Sequence, residues 1–221
     1  MTVLRRSFLA GMAAAGAAAA LTGCSTGNAS KETAGATDPN EVPLAELMKE
    51  GPLGDKFLGK ADAPVTIIEY ASLTCPHCSQ FHQTTYPKLK KAYIDTGKVK
   101  YIVREFPIGR TAAAAAVVSR CAPEKDYFVL FDKFLVQRDV WISQEVRPDA
   151  IFKVASQTGM KRDKFDSCLA NQTIIDGLVW VKERGRQFGV VGTPTFFING
   201  KKVRGVLTFE EMEAMIRPLT G

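Results

Sequence analysis

The chain has 221 residues, of which 46% are hydrophobic and 24% charged. This composition is typical of a globular domain and excludes a largely disordered or fibrous protein. The formal net charge is +6. Without residues 1–23, which contain Arg5 and Arg6, 27 basic side chains oppose 23 acidic ones and the net charge is +4. A charge this small gives no argument for nucleic-acid binding.

The N-terminus has the features of an export signal. Arg5–Leu9 is a charged start with a twin-arginine character, and the Ala- and Gly-rich run that follows is too short to span a membrane. Residues 21–24, Leu-Thr-Gly-Cys, resemble a bacterial lipobox, which predicts a lipoprotein-type signal peptide over residues 1–23 and a lipidated Cys24. The alternative is an ordinary cleaved signal with a chance cysteine. Both place the mature protein outside the cytoplasm, in the periplasm, where disulfides persist.

Residues 24–50 are predicted to be a flexible tether. The segment is rich in Ser, Thr, Gly, Asn and Ala, and most of it has no hydrophobic period. Pro43–Met48 is its one candidate for a short helix. Such a tether would hold a folded domain away from a membrane surface.

A β-α-β unit is predicted after the tether. Leu53–Leu58 is expected to be an edge strand, and the β-branched run Val65–Ala71 a buried central strand. A helix is expected from Cys75 to about Thr96, followed by a strand over Val99–Phe106. The connection should be right-handed, with the second and third strands parallel.

The next eighty residues show no convincing strand. Proline and glycine divide them into segments with helical patterns. The predicted helices cover residues 112–118, 127–136, 149–156, 163–169 and 173–188. We therefore expect an α/β frame, formed by residues 51–108 and 190–221, with an all-helical subdomain inserted at 109–189.

The frame resumes at residue 190. Asn199-Gly200 is a strong hairpin signal, and Lys201–Val206 would complete the hairpin. Thr208 and Glu211 have the spacing of a capping box, which predicts a last helix.

The motif Cys75-Pro76-His77-Cys78 lies where the central strand ends and the long helix begins. Unpaired N–H groups and the helix dipole would stabilise a thiolate there, and a Cys-x-x-Cys pair at a helix start is typical of redox proteins. The alternative is half of a zinc site, but zinc takes four ligands and only His77 and His82 could add to the two cysteines. We expect no metal and no cofactor.

With these motifs the sequence resembles the DsbA-like branch of the thioredoxin superfamily, from Pro52 to the C-terminus. The resemblance rests on the Cys-Pro-His-Cys motif, on the loop Thr193-Pro194-Thr195 before a strand, and on the helical insert. It implies a thioredoxin fold, an oxidising extracytoplasmic role and a cis peptide bond before Pro194. The sequences Val103–Pro107 and Thr193–Gly200 are most similar to those of a proteobacterial subgroup with an extra cysteine pair.

The resemblance also implies roles for individual residues. Cys75 would be the exposed nucleophile and Cys78 its shielded partner, with His77 adding a donor and, when protonated, a positive charge near the thiolate. Thr193 and Pro194 should lie against the disulfide and leave backbone groups free to pair with a substrate strand.

Glu69, in an otherwise apolar strand, would exchange a proton with Cys78. Its alternative is a carboxylate facing solvent. The apolar residues near the motif, Leu73, Phe81 and Val191, are either a substrate groove or part of the core.

Cys121 and Cys168 remain after the motif and Cys24 are assigned. In an oxidising compartment, cysteine parity favours a structural disulfide between them over two buried free thiols.

Three functions follow as hypotheses. The first is a thiol oxidase that donates its disulfide to folding exported proteins with free thiols and is reoxidised by a DsbB-like membrane partner. The second is a disulfide isomerase or reductase of the same fold, which Thr193 before Pro194 also suits. The third is a tethered metal-binding protein using Cys75, Cys78 and a histidine. We expect a monomer.

Overall fold

The computed structural model describes Asp38 and residues 40–220. The predicted signal peptide, Cys24 and most of the tether lie outside these residues. Five strands form one mixed sheet in the order β1-β3-β2-β4-β5. They are β1 (Lys56–Leu58), β2 (Val65–Ala71), β3 (Val99–Glu105), β4 (Thr195–Ile198) and β5 (Lys201–Arg204).

The central strand β2 confirms the predicted β-α-β unit. It pairs in parallel with β3, from Val65 opposite Val99 to Ala71 opposite Glu105, and antiparallel with β4. All seven of its residues are buried, because helices cover both faces of the sheet. Alternation along the strand directs Glu69 to the same face as Val65, Ile67 and Ala71, whereas Ile68 and Tyr70 pack on the other face.

Ten α-helices accompany the described sheet. They are α1 (Leu44–Leu47), α2 (Pro76–Thr84), α3 (Tyr86–Leu89), α4 (Gly109–Cys121), α5 (Glu124–Val136), α6 (Arg138–Trp141), α7 (Pro148–Ala155), α8 (Arg162–Leu169), α9 (Gln172–Gln187) and α10 (Phe209–Ile216).

The long helix predicted from Cys75 to Thr96 is divided into three pieces. α2 ends at Thr84, α3 follows, and a π-helical turn covers Lys90–Ile94. Pro87 explains the break, because proline has no N–H to donate and its ring crowds the carbonyl four residues earlier. The prediction of one continuous helix was therefore wrong, although the segment does end at Gly97, which has a φ of 75°.

The helices α4 to α9 lie between β3 and β4, as the absence of a strand pattern predicted. They do not have a core of their own. One apolar cluster joins Ile67 and Phe81 to Phe131 and Phe165 of the insertion. The insertion and the sheet therefore share one hydrophobic core.

A disulfide joins Cys121, at the end of α4, to Cys168 in α8, with the two Cα atoms 5.8 Å apart. The bond closes a loop with a sequence separation of 47. In the chain-entropy model a loop of this size stabilises the fold by about 4 kcal/mol.

The prediction of a flexible tether over residues 24–50 was wrong for its last part. Glu41 forms a β-bridge with Lys201, and the side chain of Leu47 is fully buried beneath the sheet. The Arg104 guanidinium donates to the Leu47 carbonyl over 2.7 Å. The average composition of the segment concealed this, because one apolar side chain and one backbone acceptor are enough to attach it.

The C-terminal part follows the prediction closely. β4 and β5 form a hairpin in which Ile198 lies opposite Lys201, so Asn199 and Gly200 make a two-residue turn. Both residues have positive φ, 44° and 100°, as this turn requires. The capping box of Thr208 and Glu211 is present at the start of α10. Within the described part of the chain, no helix combines the length and apolarity needed to cross a bilayer.

Candidate active site

The two cysteines of the motif lie at the end of β2 that faces α2. Cys75 is the residue before the first turn of α2 and has an extended backbone, and Pro76 begins the helix. Both thiols are reduced in this structure. Cys75 is 9% exposed and Cys78 is fully buried, so an incoming thiol can reach only the first sulfur.

The surroundings of Cys75 favour its thiolate and lower its pKa to about 5. The largest cause is a hydrogen bond from the Cys78 thiol, which outweighs the opposing effect of burial. The Thr193 side chain and the N–H groups of Cys78 and His77 lower the pKa further. These N–H groups are the unpaired donors of the first helical turn.

The surroundings of Cys78 have the opposite effect. Its pKa is raised well above the ordinary value, first by burial, then by the hydrogen bond to Cys75, then by the charge of Glu69. The pair therefore has one sulfur that ionises easily and one that holds its proton.

His77 stabilises the Cys75 thiolate through its backbone rather than through its imidazole. Its side chain is exposed, and the group that stabilises the Cys75 thiolate is the His77 backbone N–H. The imidazole is available to an approaching substrate.

The loop before β4 lies against Cys75. The Thr193–Pro194 peptide bond is cis, and the Cys75 thiol donates to the Thr193 carbonyl over 3.1 Å. The Thr193 hydroxyl is buried, and no hydrogen-bond partner of its oxygen is found in the described part of the chain. It is thus free to donate to the sulfur when Cys75 ionises.

The three apolar residues near the motif have different positions. Leu73 and Phe81 are buried in the core, with exposures of 2% and 0%, whereas Val191 is 77% exposed. Ile108 is also exposed, and its carbonyl accepts a hydrogen bond from Thr74 next to Cys75. The surface around the motif therefore has apolar side chains from two separate loops.

Glu69 lies inside the protein, and the alternative of a solvent-facing carboxylate was wrong. It has no exposed surface. Its Oε2 accepts hydrogen bonds from the Tyr101 hydroxyl and from His82 Nε2, the latter over 2.9 Å. The other nitrogen of the same imidazole, His82 Nδ1, lies 2.9 Å from Asp132 Oδ1 on α5.

The imidazole between the two carboxylates is fully buried. Burial alone would lower the pKa of His82, but the charge of Glu69 and the hydrogen bonds to Asp132 and Glu69 raise it to about 9. At neutral pH the group is thus an imidazolium between two carboxylates.

The roles of His82, Tyr101 and Asp132 were not predicted from the sequence. His82 follows Cys78 by four residues, so the two share one face of α2, and this spacing was the available signal. Tyr101 and Asp132 had none, because they belong to other elements and meet Glu69 and His82 only in the folded chain.

The ligands that a metal site would need are otherwise engaged. Both nitrogens of His82 have carboxylate partners, and His77 is on the surface. Among the residues that the structure describes, no group of three or more His, Cys, Asp or Glu side chains is arranged to hold a metal ion.

Known proteins that are similar to this chain are described as acting on disulfides, in agreement with a site built on two cysteines. The thioredoxin family model matches residues 53–217. A Rickettsia conorii protein described as a candidate protein-disulfide oxidoreductase is 36% identical over 66% of this chain and 53% of its own length. Disulfide bond formation protein D of Bacillus subtilis is 29% identical over 74% of this chain and 76% of its own. The chain spans about half the length of the curated Rickettsia relatives that it matches.

Among solved structures, alpha-DsbA1 of Wolbachia pipientis superposes with a TM-score of 0.74 and 33% sequence identity. The match covers 80% of this chain and 96% of that one. The chain therefore belongs to the thioredoxin family. Within it, the chain is a member of the DsbA-like branch, with an α/β thioredoxin fold and a helical insertion.

Proposed function

We propose that this protein is an extracytoplasmic thiol oxidase that donates its Cys75–Cys78 disulfide to exported proteins during folding. The observation that carries the proposal is the low pKa of Cys75, about 5. A stabilised thiolate stabilises the reduced form of the pair. Since the reduced form is the product of donation, its stability makes the disulfide a strong oxidant.

The proposed reaction has two exchanges. A substrate thiolate attacks Cys75 Sγ, the Cys75–Cys78 bond breaks, and Cys78 leaves and takes up a proton. A second substrate thiolate then attacks the substrate sulfur of this mixed disulfide, and Cys75 leaves as a thiolate. The substrate is oxidised by two electrons and the protein is reduced by two.

In this mechanism Glu69 exchanges the proton with Cys78. The burial of Glu69 and the effect of its charge on the Cys78 pKa support this role. During reoxidation the same proton must leave again, because only the Cys78 thiolate can attack the mixed disulfide between Cys75 and the oxidising partner.

The substrate would lie along the loop of Thr193 and Pro194. An extended peptide pairing with backbone groups there would place its own sulfur next to Cys75. The exposed side chains of Val191 and Ile108 would give such a peptide apolar contacts.

Export and partners belong to the same proposal. Residues 1–23 would be the signal peptide and Cys24 a lipid anchor, with a tether now limited to about residues 24–39. The domain would then work as a monomer in the periplasm and be reoxidised by a DsbB-like membrane protein. Substrates would be exported proteins with free thiols.

An equilibrium titration of the Cys75–Cys78 pair against glutathione tests the proposal. An oxidase should have a potential well above the value of about −270 mV found for thioredoxin and near the value of about −120 mV found for DsbA. A potential close to that of thioredoxin would contradict the assignment and favour a reductase.

An isomerase is the second candidate, because Thr193 before the cis proline also suits that activity. Reactivation of scrambled ribonuclease without added oxidant separates the two. An oxidase should give little recovery under these conditions, whereas an isomerase should restore most of the ribonuclease activity.

A further inference from the structure

The buried sulfur of the pair has to exchange a proton with solvent in every cycle. This follows from the proposed function, because Cys78 is a thiol in the reduced protein and part of a disulfide in the oxidised one. Cys78 has no exposed surface. The opening at Cys75 is the position where a substrate or partner is attached during the exchange, so it is a poor exit for the proton.

Glu69 offers the first step of another route. Its Oε2 is occupied by His82 and Tyr101, but its Oε1 is buried and has no hydrogen-bond partner in the described part of the chain. A buried carboxylate oxygen without a hydrogen-bond partner is unfavourable for folding, so its presence calls for an explanation such as a catalytic role. The Glu69 charge raises the pKa of Cys78, so the carboxylate and the thiol interact, and Oε1 is the carboxylate oxygen that His82 and Tyr101 leave unoccupied.

His82 and Asp132 extend the route to the surface. The His82 ring joins Glu69 Oε2 on one side to Asp132 Oδ1 on the other, with both distances 2.9 Å. An imidazole can accept a proton at one nitrogen and release one from the other. The Asp132 side chain is 38% exposed, so it exchanges protons with water.

The route ends away from the substrate side. Asp132 borders a surface cleft of about 350 Å³ between β1, α3 and α5, with Lys56, Tyr86 and Lys90 among its lining residues. Neither Cys75 nor the Thr193-Pro194 loop belongs to that lining. A protein bound over Cys75 would leave this cleft open.

We propose that Glu69, His82 and Asp132 form a proton path that connects Cys78 to this cleft while Cys75 is covered by a bound protein. During reoxidation the Cys78 proton passes to Glu69 Oε1, the His82 proton on Nδ1 passes to Asp132, and Asp132 releases it to water. The oxidised protein then holds the proton from Cys78 on Glu69 Oε1, and His82 keeps only its Nε2 proton. In substrate oxidation the steps reverse: Glu69 Oε1 gives its proton to the departing Cys78 sulfur, and a proton from water reaches His82 Nδ1 through Asp132, which restores the starting state.

The other groups around His82 do not offer a competing path. Tyr86 of α3 stacks on the ring with 4.7 Å between centroids, Tyr101 of β3 shares Glu69, and Phe81 and Phe131 complete the enclosure. Burial raises the pKa of both tyrosines, so each keeps its proton at neutral pH. The charged groups facing the imidazole are the carboxylates of Glu69 and Asp132.

Reaction of the reduced protein with one equivalent of Ellman's reagent tests the path in a stopped-flow experiment. Cys75 attacks the reagent and releases the first thionitrobenzoate; this phase does not involve Cys78. Cys78 then attacks the mixed disulfide, releases the second thionitrobenzoate and gives up its proton. Only the second phase should depend on the path.

Asp132→Asn should slow the second phase by about 100-fold, the lower end of the range of about 10²- to 10⁴-fold that is typical of proton-transfer groups. The first phase should be unchanged. Asp132→Glu should recover most of the rate, and Asp126→Asn, which changes another partly exposed aspartate of α5, should leave both phases at their original rates. In Asp132→Asn the second phase should also accelerate with buffer concentration, because buffer replaces the missing carrier.

A second phase of unchanged rate in Asp132→Asn would overturn the path. So would a slowed phase that neither buffer nor Asp132→Glu restores, since that pattern indicates structural damage. If the first phase of the unaltered protein is itself slow at pH 7, the Cys75 thiolate and with it the proposed function fail, whatever the second phase shows.

Discussion

At the scale of single residues, the chemistry depends on the difference in pKa between two neighbouring cysteines. Cys75 receives hydrogen bonds from the first helical turn and from Cys78, and these outweigh its partial burial. Cys78, only three residues further, is fully buried close to the Glu69 carboxylate. The same short helix start thus gives one sulfur that leaves easily and one that stays protonated.

The hydroxyl of Thr193 should contribute measurably to this difference. Thr193→Val removes a donor to a charged sulfur, and such hydrogen bonds are worth about 1.5–3 kcal/mol. We therefore expect the Cys75 pKa to rise from about 5 by roughly one to two units. Thiolate absorbance during a pH titration measures it. Thr193→Ser keeps the hydroxyl and should titrate like the unaltered protein; equal titrations of all three would contradict the assignment.

The stability of the reduced protein should depend on pH through Cys75. Its folded-state pKa is depressed, so the stabilisation is complete above the unfolded value of about 8.5 and is lost as the pH falls through about 5. Urea unfolding of the reduced and oxidised forms between pH 9 and pH 5 measures this dependence, because titrating groups far from the cysteine pair affect both forms alike. The reduced form should lose stability relative to the oxidised form on acidification. Cys75→Ser cannot form the disulfide, and its stability should fall on acidification no more than that of the oxidised unaltered protein.

At the scale of elements, two buried arginines attach the central sheet to its neighbours. Arg120 of α4 pairs with Glu105 at the end of β3, through Nε over 2.6 Å and Nη2 over 2.7 Å. The Tyr127 hydroxyl donates to the same carboxylate. Arg104 of β3 makes a similar pair with Asp55. Burial of charge is tolerated here because each partner is satisfied.

Removing one member of the Glu105–Arg120 pair should be severely destabilising. Arg120→Met leaves a buried carboxylate without a counter-charge, which costs about 3–5 kcal/mol. Urea unfolding measures the change. The double variant Glu105→Gln/Arg120→Met should recover much of the lost stability. Arg162→Met, which removes exposed, solvent-screened ion pairs on α8, should change the stability far less than Arg120→Met. If Arg120→Met lowers the free energy of unfolding no more than Arg162→Met does, the buried pair does not stabilise the fold as proposed.

At the scale of the whole molecule, the domain is larger than its motifs indicate. The insertion completes the core on one face of the sheet, and α1 with α9 covers the other, where Leu47 and Val181 contact Tyr70 and Phe197 in one cluster. Stability should therefore depend on residues well before the first predicted strand.

Shortening the N-terminus in two steps tests where the domain begins. A protein that starts at residue 38 should unfold at the same urea concentration as one that starts at residue 25. A protein that starts at residue 49 loses the buried Leu47 and the acceptor of Arg104, and it should be about 2–5 kcal/mol less stable, as for other core leucine deletions. Equal urea midpoints for all three proteins would contradict this and would support a folded domain that begins at residue 51.

Local signals in the sequence were enough for the strands β2 and β3, the turn at Asn199-Gly200, the capping box at Thr208 and the position of Cys75 at a helix start. Each depends on neighbours along the chain, through side-chain alternation, turn geometry or unpaired N–H groups. The break that Pro87 makes in the helix after the motif was not predicted, because the apolar pattern of the helix continues across this proline.

The surroundings of the buried sulfur depend on contacts between distant segments, which form only in the folded chain. Glu69, His82 and Asp132 come from a strand, the motif helix and the insertion, and 50 residues separate the last two. The attachment of Leu47 and the pairing of Glu105 with Arg120 likewise join distant segments. Sequence patterns report which face of an element is apolar, whereas the partner of a buried charge is set by which elements the shared core brings together.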